Sequence, residues 1–204
     1  MARVPYINQS DLPAEYRDLL TRPANVFRAL ANSPELLRAY LQFGMWIRTE
    51  CALDARLREL AILQVSYMMK NEYEYSHHVK IGGEYGVSNE DIRALIASNE
   101  GRPNGLGEVE RLVLDASRQM TDDGAISDDV WLALSSHLDA ARMVELVMIV
   151  TFYGCNARVL STLQVDVEPE YAHYLTAFPL EPSKTSIGGA SAERATTRQS
   201  IEET

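Results

Sequence analysis

Between Asn71 and His78 the chain reads Asn-Glu-Tyr-Glu-Tyr-Ser-His-His, a run in which every side chain donates, accepts or titrates. On a helix Asn71, Glu74 and His78 are spaced i, i+3, i+7 and share one face. Glu74 and His78 lie four apart, within reach of each other. A carboxylate beside an imidazole stabilises the imidazolium and fixes the ring's tautomer, which suits proton transfer at neutral pH. The same spacing also describes a solvated surface pair worth about 0.2–0.5 kcal/mol.

Glu59 precedes this run, set between Leu57 and Leu60. Burial raises a carboxyl pKa and a neighbouring Arg lowers it. Arg56, at i-3, is on the same face and could pair with it. Glu59 then reads either as an acid/base group or an orienter of His78, or as one half of a structural ion pair. Glu74-x-x-His77 has the spacing of a di-iron bundle ligand pair. Tyr67, Tyr73, Tyr75 and Tyr153 could line a pocket and donate to a substrate oxygen. Cys155 follows Gly154 in an apolar context and reads as an inert thiol.

These groups need a scaffold. The chain has 204 residues, 46% of them hydrophobic, ample for one core. A net charge of -10 without a clustered basic patch argues against nucleic acid and anionic membrane as partners. Two distant cysteines, Cys51 and Cys155, fit a reducing compartment. With no apolar leader and no uninterrupted apolar span, a cytoplasmic protein is expected.

Hydrophobic periodicity points to an all-α fold. Residues 1–24 are a proline-broken arm with a short helix at 14–20. Helices are expected at 26–32, 34–48, 55–70, 73–84, 91–97, 108–120, 129–137 and 141–164. Ser33-Pro34, Asp54 and the box Ser88-Asn-Glu-Asp91 supply starts. The 55–70 helix is apolar round more than half its girth and should be central. Asn71 should break the chain, and Gly86 fits a left-handed cap. Residues 165–170 are expected to be extended with Pro169 as a stop, and 179–204 to be disordered. The helical domain is thus 25–178.

A shift of 86 residues lays Ala55-Arg56 and Glu59-Leu60 on Ala141-Arg142 and Glu145-Leu146, and Tyr67 on Tyr153. It implies two related helical hairpins about a pseudo-twofold axis. The repeat fails at the polar run: Asn71, Glu74, His77 and His78 map to Ala157, Leu160, Leu163 and Gln164. Polarity in one half alone points to a site. The missing second copy also denies a di-iron centre, so no metal is assigned. The counterpart pair Glu145–Arg142 favours a structural Glu59.

Leu57-Arg-Glu-Leu-Ala-Ile-Leu63, Asn71-Glu-Tyr-Glu-Tyr-Ser-His-His-Val79 and Gly86-Val-Ser-Asn-Glu-Asp-Ile92 together resemble the carboxymuconolactone decarboxylase family, which includes the alkylhydroperoxidase D proteins. The resemblance implies an alkylhydroperoxidase D-like bundle that forms symmetric homo-oligomers. The peroxidase branch carries a Glu, eleven residues, then Cys-x-x-Cys-x-x-x-His. Glu59 and His78 match; Asn71 and Glu74 stand where the two cysteines would be. A thiol peroxidase therefore does not carry over. The decarboxylase branch implies a cofactor-free lyase, with Glu74, His78 and Glu59 as catalytic residues and Asn71, Tyr73, His77 and Tyr153 as substrate-binding ones. Its substrate would be a small carboxylated lactone, keto acid or polyketide-like molecule, with Arg56, Arg58 or Arg142 on the carboxylate. The alternatives are a peroxide-related oxidoreductase and a non-catalytic binding protein on the same fold.

Overall fold

Helix α3, Ala55–Met68, is the centre of the molecule. Every residue from Arg58 to Tyr67 is buried, because apolar side chains wrap its whole circumference and each side needs a neighbour. One side joins Ala61, Ile62 and Val65 to Val113, Leu146 and Ile149. The other joins Leu60, Leu63 and Tyr67 to Tyr75, Ile92 and Leu114. The structure, a computed structural model, describes residues 2–180. The expected disordered tail lies, beyond Leu180, outside the described residues.

The surrounding helices are α1 (Asn25–Leu30), α2 (Pro34–Thr49), α4 (Glu72–Glu84), α5 (Asn89–Asn99), α6 (Glu108–Asp122), α7 (Asp128–Ser135), α8 (Ala140–Leu163) and α9 (Ala172–Ala177). There is no strand among the described residues. Helix α3 packs against α4, α6 and α8. The expected starts hold at α3, where Asp54 accepts from the Leu57 N–H at 3.0 Å, and at α5, where Ser88 and Asp91 form a reciprocal box. Gly86 has φ of +91°, the left-handed conformation that a Cβ disfavours.

Between α3 and α4 the chain turns over three residues, Met69, Lys70 and Asn71. Lys70 is left-handed, with φ of +51°. Asn71 then caps α4, its Oδ1 accepting from the Glu74 N–H at 2.8 Å. Its Nδ2 donates to the Ala157 carbonyl at 3.1 Å and to Ser161 Oγ at 3.0 Å. Asn71 thus touches Ala157, its own counterpart under the 86-residue shift, as equivalent positions near a twofold axis do. The halves differ in one respect. Helix α8 runs unbroken through Ala157 to Leu163, so the second half has one long helix where the first has two.

Two other expectations change. Pro169 opens a 3-10 turn, Pro169–Tyr171, and α9 follows it; proline suits a first helical position because its missing N–H has no partner there. On α2 Leu37 and Ile47 are buried, while Leu36 and Trp46 are exposed. Glu145 and Arg142 do not pair. Arg142 bonds Asp139 on the surface, and Glu145 accepts from the Ala52 and Leu53 N–H groups at 3.2 and 2.8 Å. Helix α8 is long and apolar enough to cross a membrane by length and composition; here it packs on α3, α6 and α7.

The junction generates a stability prediction. Asn71→Ala removes a cap and two largely buried donors, and should cost about 1–3 kcal/mol. Arg142→Ala, on the exposed surface, should stay within about 0.5 kcal/mol. Urea denaturation of both variants measures this, and equal losses would show that Asn71 does not hold the junction.

Candidate functional site

The buried end of the site is a carboxylate on the most enclosed helix. Glu59 is 2% exposed. Its Oε2 lies 2.7 Å from His78 Nδ1, and its Oε1 accepts from Arg58 Nε at 3.1 Å. Burial opposes the charge on Glu59, but His78 and Arg58 outweigh it and hold the carboxyl below its ordinary value. An ionised Glu59 accepts only, so His78 Nδ1 is the donor and the tautomer is set. Arg58 is itself fixed, by the Ile47 carbonyl at 3.3 Å and the Tyr85 ring at 4.6 Å.

Helix α4 reaches this buried pair because of Gly82. A Cβ there would stand 3.3 Å from Val87 and 3.6 Å from the Cβ of Glu59. The bare glycine lets α4 lie close to α3 at the level of Glu59, one turn beyond His78.

The opposite nitrogen, His78 Nε2, lies 3.5 Å from Glu74 Oε2. Burial pushes the Glu74 carboxyl up; His78 and His77 oppose that and Glu59 adds to it, leaving it above its ordinary value. The imidazole therefore sits between two carboxylates of opposite character. Glu59 is held ionised and Glu74 resists ionisation. Tyr153 closes the third side, its ring meeting the His78 ring edge-on at 4.8 Å. Burial, then the charges of Glu74 and Glu59, keep its phenol protonated.

Glu74, His78 and Tyr153 line a cavity of about 840 Å³. Its walls come from α2, α4 and α8, with the 18–27 and 168–171 segments on the remaining sides. The structure thus brings Glu59, Glu74, His78 and Tyr153 together. Tyr73 and His77 also line the cavity, but their polar atoms are engaged. The Tyr73 hydroxyl donates to Glu168 Oε1 at 3.0 Å and accepts from the Val26 N–H at 3.2 Å. The His77 ring is stacked between Tyr73 and Tyr171, with Nδ1 2.7 Å from the Tyr73 carbonyl and Nε2 3.1 Å from Glu168. Asn71 is not among the lining residues; its bonds all go to the α3–α4 junction and α8.

The basic candidates also move. Arg56 does not pair with Glu59. It binds Asp91 and Glu110, each at 2.6 Å, and ties α3 to α5 and α6. Arg58 is enclosed with Glu59 and Arg142 is on the far surface, so none of the three lines the cavity. Arg48 and Tyr40, both on α2, do. Sequence spacing missed them because α2 is far from α4 in the chain and carries no run of polar residues. Glu168 was missed for another reason: its segment reads as a featureless extended stretch. Neither cysteine lines the cavity. Cys51 contacts Glu145 at 3.4 Å, and Cys155 is exposed. Among the described residues no group of three His, Cys, Asp or Glu side chains has a metal-holding arrangement.

Comparison with known proteins gives the same fold. The alkylhydroperoxidase D core of an uncharacterised peroxidase-related protein from Ralstonia eutropha JMP134 is similar at 19% identity and TM-score 0.70, covering 88% of this chain and 98% of that one. A cysteine-to-alanine variant of the debrominase Bmp8, in complex with 2,3,4-tribromopyrrole, is similar at 18% identity and TM-score 0.72, covering 87% and 98%. ATU0492 from Agrobacterium tumefaciens, a protein of unknown function described as a putative antioxidant defence protein, is similar at 21% identity and TM-score 0.61, covering 68% and 94%. No curated protein matches the sequence. The carboxymuconolactone decarboxylase family matches residues 34–102, from α2 through α5. That segment carries Glu59, Glu74 and His78, on a fold similar to that of the alkylhydroperoxidase D core.

Proposed function

We propose that this protein is a cofactor-independent lyase of the decarboxylase type, with Glu59, His78 and Glu74 forming one proton-handling unit. The observation that carries the reading is the position of His78: 2.7 Å from an ionised carboxylate inside and 3.5 Å from a reluctant one at the cavity wall. A general acid works best when its pKa is drawn toward the working pH. Burial does this for Glu74. Neither cysteine lines the cavity, which gives a thiol peroxidase no support.

In the proposed reaction a carboxylate lies one carbon from a carbonyl, or is conjugated to one. The bond to the carboxylate carbon breaks and carbon dioxide leaves. Its electron pair moves to the carbonyl oxygen as an enolate, which accepts a hydrogen bond from the Tyr153 hydroxyl. The Glu74 proton then passes to carbon. His78 takes up a proton from solvent at Nε2 and passes it to Glu74, replacing the one delivered to carbon, while Glu59 holds the ring in orientation through Nδ1 and stabilises its charged form. Arg58 keeps Glu59 ionised in a setting that would otherwise favour the neutral acid.

Self-association belongs to the same proposal, with the exposed apolar side chains Met45, Trp46, Val144 and Met148 as its surface. Sedimentation equilibrium should give a multiple of the chain mass, and a monomer at all concentrations would remove this part.

Activity and stability should move in opposite directions at Glu74. Its folded carboxyl titrates above the unfolded one, so stability falls as pH rises through that interval and the charged form destabilises the fold above it. Glu74→Gln should therefore raise Tm at pH 7, by roughly 2–4 °C for each kcal/mol recovered. It should lower kcat by about 10²–10⁴-fold on a carboxylated lactone or β-keto acid found by screening. Glu59 has the opposite sign. Its folded pKa is depressed, so its contribution is present above the unfolded value and is lost as pH falls through the folded one. Glu59→Gln should lower Tm at pH 7 and lower activity as well. His78→Ala should match Glu74→Gln in activity, and Tyr153→Phe should cost about 10²–10³-fold. Wild-type turnover by both Glu74→Gln and His78→Ala would refute the assignment.

A further inference from the structure

The cavity's size and its unmatched charge say what kind of molecule fits it. At about 840 Å³ it stands at the upper end of small-molecule sites, which run from about 300 to 1,000 Å³. A five-membered lactone would leave most of that volume empty. Beyond Glu74 and His78 the walls include Phe27, Tyr40, Leu41, Met45 and Phe152. The Phe152 ring meets that of Tyr40 at 5.4 Å and that of Tyr153 at 5.5 Å. These rings form one apolar surface leading away from His78.

The charges around the cavity are mostly matched. Glu84 is taken by Lys80 at 2.6 Å and Asp18 by Arg38 at 3.8 Å, and Glu168 lies 3.1 Å from His77 Nε2. Glu170 and Arg22 are exposed at the rim. Arg48 is the exception among the half-buried groups. It lines the cavity and makes no hydrogen bond or ion pair with any described residue. Its charge is felt at the Tyr153 phenol beside His78 and also at the Glu84 carboxylate. A half-buried guanidinium with no carboxylate against it is a ready partner for an anion, which it can hold by two parallel hydrogen bonds.

We propose that the cavity takes a bulky, largely apolar carboxylic acid, with Arg48 holding its carboxylate and the Tyr40–Phe152 surface its ring system. This rests on the reading above that the cavity is the reaction site. The carboxylate on Arg48 is not the one that leaves. An ion pair at the departing group would stabilise the substrate more than the transition state, where that charge is draining into the enolate. Arg48 is therefore a specificity residue that positions the substrate through a spectator acid.

Binding of inert probes tests this without turnover. Isothermal titration of the full chain at pH 7.5 would compare 2-naphthoic acid, its neutral relative 2-naphthamide, and benzoic acid. Naphthoate should bind at one per chain, at least about tenfold tighter than naphthamide because the charged bond to arginine is lost in the amide. Benzoate should bind more weakly than naphthoate. Arg48→Gln should cut naphthoate affinity by a similar factor and leave naphthamide within about twofold, which also shows that the variant is folded. Arg48→Lys should recover part of the loss. Glu74→Gln should leave naphthoate binding in place, so a failure of the acid/base assignment and a failure of the anchor give different results. Equal affinities for naphthoate and naphthamide, an unaffected Arg48→Gln, benzoate as tight as naphthoate, or no naphthoate binding at millimolar concentration would each overturn the proposal.

Discussion

A carboxylate enclosed at the centre of an apolar helix constrains everything around it. Glu59 is 2% exposed on a helix with neighbours on every side. An isolated charge there would cost several kcal/mol, and the group would otherwise neutralise itself. The fold supplies two cationic or donating partners instead. Arg58 comes from the same helix and His78 from the next. The requirement that His78 meet Glu59 fixes how α4 lies on α3, and the bare Gly82 backbone permits that approach. The break at Lys70 and Asn71 then sets the direction in which α4 leaves.

The polarity of the site follows from that arrangement. With Nδ1 committed to Glu59, His78 has one free direction, and it faces Glu74 at the cavity wall. The two carboxylates differ in their partners more than in their burial. Glu59 has an arginine and a close imidazole nitrogen; Glu74 has a single contact at 3.5 Å. That difference, together with the charge of Glu59 acting on Glu74, gives them opposite shifts. Pairs of titratable groups driven apart in this way are a common mark of acid/base sites.

A second node frames the cavity from the other side. Glu168 collects the Asn25 N–H at 2.6 Å, the Tyr73 hydroxyl and the His77 ring. It ties the start of α1 and the segment after α8 onto α4. Burial raises the Glu168 carboxyl, but His77 and the Asn25 N–H outweigh it and keep it ionised. His77 and Tyr73 therefore build the wall of the site, while the neighbouring Glu74 and His78 face its interior. Adjacent residues on one helix are divided, by the faces they occupy, between holding the wall together and facing the cavity.

Local pattern determined much of this protein. The helices, the Asp54 and Ser88 caps, the Asn71 break and the left-handed Gly86 all depend on nearby residues, so spacing suffices to find them. The i, i+4 pairing of Glu74 with His78 belongs to the same class. Tertiary structure decided what spacing cannot. Glu59 sits on a helix buried all round, so helical phase could not say which basic residue turns toward it, and Arg58 holds the place that phase gave to Arg56. Asn71 looked like part of the site because it shares a face with Glu74 and His78, yet as the cap it is drawn into the junction and against α8. Arg48, Tyr40 and Glu168 arrive from segments distant in the chain. Their role exists only once helices far apart in sequence are packed together, because a cavity is a property of the space between elements and no single element encodes it.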